Sequence, residues 1–254
     1  MKTTVKIVQQ EALSPAQKEN MWLIYKHYYH YSKESFMARI NRNTHFALYQ
    51  RNGKIGGFTG LRINALLLGG RKRFLIYYGQ TILPWGYKGA TLLPLTALKL
   101  VLKHWKELLF QDAWFWYDSL TYKAYLISAK SLAEYYPNFR GSSPEYAKEM
   151  VDHLGKHYYG ESYHPKTGTV SKSQNFVKDK KRSIYERLLQ DRDIAFYAKA
   201  NPAYADGHGL ITYAPINLAN IFALLGGSIK KRWKMSSWKK RFKPSTIKVL
   251  HRSL

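Results

Sequence analysis

The sequence predicts a mixed α/β fold, in which an antiparallel meander is followed by a strand–helix–strand crossover. Three strand-like segments, His45–Gln50, Lys54–Leu68 and Arg71–Leu83, are joined by Asn52-Gly53 and Gly69-Gly70. These dipeptides are typical of tight hairpin turns, and tight turns join only antiparallel neighbours. A long apolar helix and a short aromatic strand follow the third segment. Such a crossover joins parallel strands, so the sheet is expected to be mixed.

The segment before the meander is expected to hold one strand and two helices. Thr3–Val8 alternates polar with apolar residues, which indicates a half-buried strand. Ser14–Gln17 has the spacing of a capping box with proline at the first helical position. A helix is therefore expected over Pro15–Tyr31, and Ser32 is expected to cap a second, short helix.

Beyond the meander, Pro84–Ala90 interrupts the strand pattern and opens an apolar helix that is expected to end near Trp105. Asp112–Tyr117 is the short strand expected to lie parallel to the third meander strand. The remaining signals predict three helices, a strand and a last helix, at Thr121–Tyr135, Pro144–Tyr158, Lys178–Gln190, Leu210–Ile216 and Asn217–Leu225. Residues 1–206 are expected to form one domain with its core over 1–135. Residues 207–254 are expected to form a C-terminal extension, a strand, a helix and a basic tail, packed on that domain or extending from it.

The composition is that of a folded and strongly basic protein. The 254 residues are 45% hydrophobic, which is enough for a sizeable core. Cysteine is absent, which excludes disulfides, thiolate zinc sites and a cysteine nucleophile. The formal net charge is +25, from 41 Lys and Arg against 16 Asp and Glu, so acidic partners are expected to be attracted. Nucleic acid, an anionic membrane surface, an acidic carrier protein and an acidic peptide all qualify on charge alone.

The positive charge is concentrated near the C-terminus. Residues 230–252 contain ten Lys and Arg and no Asp or Glu, interleaved with Trp233, Trp238 and Phe242. Basic segments with large apolar side chains are typical of interfacial helices, and they suit docking of an acidic carrier protein. Met1–Ile7 lacks the apolar core of a secretion signal. A cytoplasmic location is expected, with peripheral association at the inner membrane surface as the alternative.

A glycine-marked loop opens the apolar helix and is the strongest candidate for a binding site. In Gly86–Thr91, amides at the helix start would point outward, where the helix dipole favours an anion. Together with the order of elements, this loop resembles the GNAT superfamily of acyltransferases, whose loop reads Gln or Arg, two residues, Gly, one residue, then Gly or Ala. Gly89 fits the first family glycine. Gly86 and Thr91 depart from the pattern, which leaves coenzyme A and the phosphopantetheine arm of an acyl carrier protein open as donors.

The resemblance implies that the loop amides bind the diphosphate of an acyl thioester. The donor-binding residues that it implies are Ile82, Leu83, Gly86, Tyr87, Lys88, Gly89, Ala90 and Thr91. Four short stretches are similar to a divergent bacterial GNAT-like group: Tyr78–Ile82, Tyr122–Leu126, Tyr136–Asn138 and Asn201-Pro202. That group includes maturases that attach fatty acyl chains to lysine or ornithine side chains of ribosomally made peptides. The implied reaction is transfer of an acyl group from a thioester to an amine.

Acyl transfer to an amine needs a base for the ammonium, a donor for the oxyanion and an acid for the departing thiolate. The resemblance implies Tyr125, on the helix after the fifth strand, as the acid, with Tyr122 as the alternative. The first candidate for the base is Asp118, at the carboxyl end of its strand. His27 or His45 is the next candidate, and a water molecule is a further alternative. A plain packing role is the alternative for Tyr125.

Polar side chains near the end of the third meander strand are expected to contact the substrate. Tyr77 and Tyr78 are adjacent, so their side chains face opposite sides of the sheet. Tyr78, Gln80 and Thr81 are the predicted substrate contacts, the last two because a polar pair at a strand end would reach a thioester carbonyl. The alternatives are core packing for the tyrosine and hydrogen bonding to the loop backbone for the other two.

The alternative function is a basic protein that binds nucleic acid or a membrane surface without catalysis. The 21 tyrosines suit base stacking as well as an acyl tunnel or a peptide groove. Zinc-finger, RNA-recognition and helix-turn-helix signatures are not visible, so nucleic acid is the less favoured partner. No metal is predicted, because the pair His27 and His30 has no evident third ligand.

Overall fold

A computed structural model describes residues 3–68, 70–84, 86–172 and 184–226. The strands are β1 (Thr4–Gln9), β2 (His45–Arg51), β3 (Lys54–Leu68), β4 (Arg71–Ile82), β5 (Asp112–Ser119), β6 (Tyr163–His164), β7 (Thr169–Val170) and β8 (Gly209–Pro215). The helices are α1 (Pro15–Tyr25), α2 (Lys33–Asn41), α3 (Gly89–Lys103), α4 (Trp105–Phe110), α5 (Tyr122–Ala129), α6 (Glu145–Tyr159), α7 (Arg192–Ala200) and α8 (residues 218–226). The basic tail predicted over residues 230–252 lies outside the described residues.

One eight-stranded sheet, in the order β1-β2-β3-β4-β5-β8-β7-β6, runs through the described part of the chain. β4 and β5 are parallel, and the other neighbouring strands in that order for which a register is defined are antiparallel. The predicted meander and the predicted parallel pair are therefore confirmed. β8 lies between β5 and β7, so part of the predicted C-terminal extension belongs to the central sheet. The boundary between residues 206 and 207 stays a prediction.

Helices cover both faces of the sheet, and the alternation along β8 shows which helices share a face. Leu210 and Ala214 pack with α5 and α7, whereas Ile211 and Tyr213 pack with α6 on the opposite face. α3 covers the first face over β2 to β4, and α1 with α2 cover the second face. On that second face, the ends of β4 and β5 lie between the α1–α2 pair and α6. None of the helices described is long and apolar enough to cross a membrane.

α1 is shorter than the sequence predicts, whereas the apolar helix ends close to the predicted Trp105 and continues, after a break, as a helix that was not predicted. α1 ends at Tyr25 and not at Tyr31, and the ring of Tyr29 then stacks on that of Tyr25 at 4.6 Å. The long apolar helix breaks at His104 (φ −111°, ψ 28°) and resumes as α4. The His104 ring packs on Phe74 at 5.3 Å. Both breaks therefore let an aromatic ring reach the core.

The second half contains elements that the sequence did not predict. The β6–β7 hairpin and α7 were both missed, although Asp191 accepts from the amides of Asp193 and Ile194 as a helix cap. The helix predicted over Lys178–Gln190 is not observed in its described part, where Glu186–Gln190 forms a 3-10 turn. Residues 178–183 lie outside the described part of the chain.

α5 ends at Ala129, well before the predicted Tyr135. Asn220 accepts hydrogen bonds from main-chain amides that would otherwise continue the helix. Its Oδ1 accepts from the N–H groups of Ala133 and Glu134, both at 2.9 Å. Its Nδ2 donates to the carbonyls of Glu134 (2.8 Å) and Pro215 (2.7 Å). This buried side chain therefore ties the loop after α5 to the end of β8.

Asn220→Ala is expected to lower the free energy of unfolding by about 3 kcal/mol, because it leaves several buried main-chain groups without partners. Urea denaturation of the purified protein measures the change. Asn41→Ala is the matched control: Asn41 is exposed and accepts one hydrogen bond, from Gln10 at 3.0 Å. The control is expected to change stability by less than about 0.5 kcal/mol. Equal losses in the two variants would contradict the structural role of Asn220.

Candidate functional site

β4 and β5 diverge in the middle of the sheet. Their parallel pairing ends at Tyr77 and Trp116, although both strands continue. Beyond this point β4 remains paired with β3, and β5 with β8. Strands that diverge leave main-chain groups on their facing edges without ladder partners. We call the opening the wedge; it is bounded by residues 78–82 of β4 and 117–119 of β5.

A bulge at Gln80 shapes the β4 side of the wedge. Between the pairs Gly60–Gly79 and Phe58–Ile82, β3 advances by one residue fewer than β4. Gln80 has φ 46°, in the left-handed region that a side chain seldom adopts. Asn43 holds it there, since its Nδ2 donates to Gln80 Oε1 at 2.8 Å. A bulge bends the strand that carries it, and this one lies just past the point where β4 leaves β5.

Asp118 lies on the β5 side of the wedge, and three side chains converge on its Oδ2 atom. The Tyr77 hydroxyl donates to Oδ2 at 3.0 Å, and the Tyr159 hydroxyl from α6 donates to the same oxygen. The Nζ atom of Lys172 lies 2.5 Å from Oδ2. The carboxylate side chain is only 7% exposed and that of Lys172 only 13%. The carboxyl group predicted as the base is therefore buried among hydrogen-bond donors.

Two arginines approach this carboxylate from β3 and α2. The Arg62 guanidinium lies over the rings of Tyr77 (4.2 Å) and Tyr158 (4.7 Å). Arg39 Nη1 donates to the Tyr31 hydroxyl at 2.6 Å. The Nε atoms of both arginines are buried and have no hydrogen-bond partner among the described residues. We call Asp118, Tyr77, Tyr159, Lys172, Arg62 and Arg39 the Asp118 cluster.

Burial sets the protonation of the Asp118 cluster. It lowers the pKa of the Lys172 ammonium; the Asp118 carboxylate opposes this shift, and Arg39 and Arg62 add to it. Burial and the Asp118 charge raise the pKa of the Tyr77 and Tyr159 phenols. The phenols therefore stay protonated donors at neutral pH. An amine in this position loses its proton more readily than an exposed lysine, and a neutral amine is a nucleophile.

The three predicted substrate residues line the wedge, but they point in different directions. Tyr78 faces α3, edge-on to Phe115 at 5.6 Å, and its hydroxyl is buried without a hydrogen-bond partner in the described chain. Gln80 bonds to Asn43, and its Nε2 is likewise buried and unpartnered among those residues. Thr81 contacts the Thr59 hydroxyl at 3.1 Å. The structure thus places all three on the β4 edge, opposite Asp118.

The other predicted catalytic residues lie apart from Asp118. Tyr125 is fully buried among aromatic rings, and its hydroxyl donates to the Pro137 carbonyl at 3.0 Å. Tyr122 packs against the same aromatic group, on the opposite face of the sheet from Asp118. His27 is exposed just after α1, and His45 lies beside His104 near the end of α3. Their catalytic roles stay predictions.

The predicted donor loop is held against the sheet by aromatic and basic side chains. The Arg51 guanidinium lies 4.0 Å over the Tyr87 ring and donates to the Gly86 carbonyl. The Tyr87 hydroxyl fills the space that a Cβ on Gly56 would need, so a larger residue at position 56 would displace the Tyr87 ring. Ile82 is buried, and Leu83 packs against the α3 side of the core.

The start of α3 has a lysine at the N-cap and no acidic side chain in its first turn. α3 begins at Gly89; Lys88 is its N-cap and forms no side-chain cap, and the first turn contains no acid. This arrangement favours an anion near Gly89 and Ala90. The Thr91 amide donates to the Lys88 carbonyl at 2.9 Å and is therefore taken up inside the turn. The donor-binding roles of Gly86–Thr91 stay predictions.

Sequence reasoning did not single out Tyr159, Lys172, Arg39 or Arg62. One signal was available for Arg62, since a charged residue next to Leu61 in an apolar strand faces the other side and needs a partner there. Lys172 and Tyr159 had no such signal, because they are far from Asp118 in sequence. Only the fold brings them together.

Other features of the described residues are weaker candidates for a functional site. No group of three or more His, Asp or Glu side chains among them is arranged to hold a metal. Two surface cavities of about 420 Å³ each lie elsewhere. One is lined by residues 108–114 and 215–217, and the other lies beside α6 and residues 163–168. Neither lining includes Asp118.

Comparisons with known proteins find similar solved structures but no matching family. No protein-family model matches the chain, and no curated protein matches it. The chain is similar to a solved structure of a conserved protein of unknown function from Enterococcus faecalis, named a probable N-acyltransferase, with TM-score 0.38 and 10% identity. The match covers 53% of this chain and 32% of that one, so the chain spans about a third of its length. A similarity this low assigns no role to the residues of the site.

Proposed function

We propose that the protein is a GNAT-like N-acyltransferase that moves an acyl group from a thioester to an amine bound beside Asp118. One observation carries the proposal: β4 and β5 open a wedge directly next to a buried carboxylate that already holds an amine. A thioester needs a narrow slot with free main-chain groups, and the acceptor needs a proton acceptor. The two requirements meet at residues 77–80 and 118.

The wedge suits the extended arm of an acyl thioester. Past Tyr77 the β4 edge on the β5 side has no paired strand among the described residues, so its main-chain groups can bond to an extended ligand as they would to a strand. β4 then leads through the glycine-marked loop into α3, whose start favours the anionic end of the donor. Lys88 and Arg51 add positive charge at this end. The strongly basic chain also suits an acidic carrier protein as the source of the arm.

The Asp118 cluster supplies the chemistry for the acceptor. Asp118 takes a proton from the acceptor ammonium, and the neutral nitrogen attacks the thioester carbon. The new C–N bond forms and the C–S bond breaks. The thiolate leaves after taking a proton from solvent or from a protonated side chain. The Tyr77 hydroxyl donates to Asp118 Oδ2 before the reaction. When Asp118 takes the acceptor proton, this hydroxyl is released and donates to the developing oxyanion. The proposal includes a fatty acyl chain as the transferred group and a lysine or ornithine side chain of a peptide as the acceptor.

Mass spectrometry of the purified protein with a panel of donors and acceptors tests the function. Palmitoyl-coenzyme A and palmitoyl-loaded acyl carrier protein are each incubated with a lysine-containing peptide. We expect the acyl mass on the peptide with at least one donor, and comparison of the two arms identifies the source of the thioester. Absence of both transfer and thioester binding would contradict the proposal. Salt-sensitive nucleic-acid binding without transfer would then support the alternative of a basic binding protein.

A further inference from the structure

Lys172 holds the position that the acceptor amine requires in the proposed reaction. We infer that the protein acylates its own Lys172, which acts as an internal acceptor in the Asp118 cluster. The inference rests on the proposed function, since it uses the same donor and the same carboxylate. It goes further by naming a modification site on the chain itself.

Among the described residues, Lys172 is more enclosed than the other lysines that form ion pairs. Its side chain is 13% exposed, whereas those of Lys33, Lys130, Lys148 and Lys156 are 47% to 67% exposed. Nζ lies 2.5 Å from Asp118 Oδ2 and 5.3 Å from the centre of the Tyr159 ring. Surface ion pairs form and break freely, but this one is held inside the protein.

The backbone explains why this lysine reaches the carboxylate. Val170 on β7 pairs with Gly209 on β8, and a Cβ on Gly209 would lie 3.3 Å from the Cβ of Asp118. The chain therefore leaves the sheet beside Asp118, and Lys172 follows two residues later. The short spacing leaves its side chain within reach of the β5 end and of the wedge.

Self-acylation of Lys172 consumes the acyl thioester and needs no other reagent. Asp118 accepts a proton from the Lys172 ammonium, and the neutral Nζ attacks the carbonyl carbon of the acyl thioester. The C–N bond forms as the C–S bond breaks, and the thiolate takes up one proton to leave as a thiol. The products are an amide at Nζ, the free thiol and one proton released to solvent. The amide carries no charge, so the ion pair with Asp118 is lost.

The groups that face Lys172 set the pH dependence of the step. Asp118 comes from β5, Tyr77 from β4, Tyr159 from α6, Arg62 from β3 and Arg39 from α2. Because burial lowers the pKa of Lys172, its neutral form is reached at lower pH than that of an exposed lysine. Acylation of Lys172 is therefore expected to rise with pH and to reach its plateau at lower pH than acylation of a free lysine side chain in solution.

The test uses the full chain with palmitoyl-coenzyme A and with palmitoyl-loaded acyl carrier protein as probes. Intact mass and peptide mapping are expected to find one acyl group, on Lys172, at least about ten-fold more abundant than on exposed Lys148. The first-order rate is expected not to depend on protein concentration, because the reaction is intramolecular. Lys172→Arg should lose this modification, and the matched Lys148→Arg should keep it. Thermal unfolding shows whether both variants are folded.

A parallel reaction with a lysine-containing peptide separates this inference from the proposed function. Transfer to the peptide with Lys172 unmodified would overturn the inference and keep the function. Equal modification of Lys148 and Lys172 would indicate uncatalysed acylation and would also overturn it. Modification of neither the peptide nor Lys172 would overturn both.

Discussion

Asp118→Asn is expected to reduce acyl transfer by at least about 100-fold, in line with the loss of a general base. Asparagine keeps the shape of the side chain but cannot accept the proton of the acceptor ammonium. It also leaves the buried Lys172 ammonium without its counter-charge, so the free energy of unfolding is expected to fall by about 3 kcal/mol. Rates of peptide acylation and urea denaturation measure the two effects.

A double variant separates catalysis from stability at this position. Asp118→Asn with Lys172→Met removes both members of the buried ion pair, and such replacements are often neutral for stability. The double variant is therefore expected to recover stability while its transfer rate stays low. Glu145→Gln is the control, since it breaks a surface pair, with Lys148, in which both side chains are more than half exposed. A folded Asp118→Asn protein with full activity would refute the role of Asp118 as the base.

Gly79→Ala is expected to reduce transfer by about 100-fold, because small displacements at a reacting centre have effects of this size. Gly79 lies on β4 at the mouth of the wedge, and a methyl group there would overlap the Tyr77 ring. The ring would have to move, and with it the hydroxyl that donates to Asp118. The free energy of unfolding is expected to fall by about 1–3 kcal/mol from overpacking. Steady-state rates well below the unfolding temperature measure the loss of activity.

Gly141→Ala is the matched control for Gly79→Ala. Apart from its two neighbours in the chain, no described residue has an atom within 4 Å of the Cβ that this substitution adds, so neither activity nor stability is expected to change appreciably. An unchanged transfer rate in Gly79→Ala, measured with the same donor, would show that the Tyr77 ring and the wedge are not part of the site.

The Asp118 cluster is better explained by a site than by stability. Three cationic side chains, Arg39, Arg62 and Lys172, face one carboxylate in a largely buried place. Desolvating these groups costs free energy that a single buried ion pair seldom offsets. The two unpartnered Nε atoms add to that cost. Charged groups gathered in this way are typical of binding and catalytic sites.

The sequence by itself determined the local architecture around the wedge. The Asn52-Gly53 turn forces β2 and β3 to be antiparallel, because the turn is too short for any other connection. The Ser14 and Gln17 side chains form both bonds of the predicted capping box, at 3.2 and 3.0 Å. The crossover through α3 makes β4 and β5 parallel. These features depend on neighbours in the chain, and such neighbours are visible in sequence.

Only the tertiary structure decided what surrounds Asp118. The sequence selected Asp118 from its position at a strand end, but its partners Tyr159 and Lys172 come from α6 and from the segment after β7. The same contacts between distant segments fixed the ends of α1 and α5, where Tyr29 and Asn220 replace helical contacts. The resemblance implied Tyr125 as the acid, and only the fold shows that its ring is buried and that its hydroxyl donates to the Pro137 carbonyl. Burial and long-range hydrogen bonds are properties of the whole fold, so no local pattern specifies them.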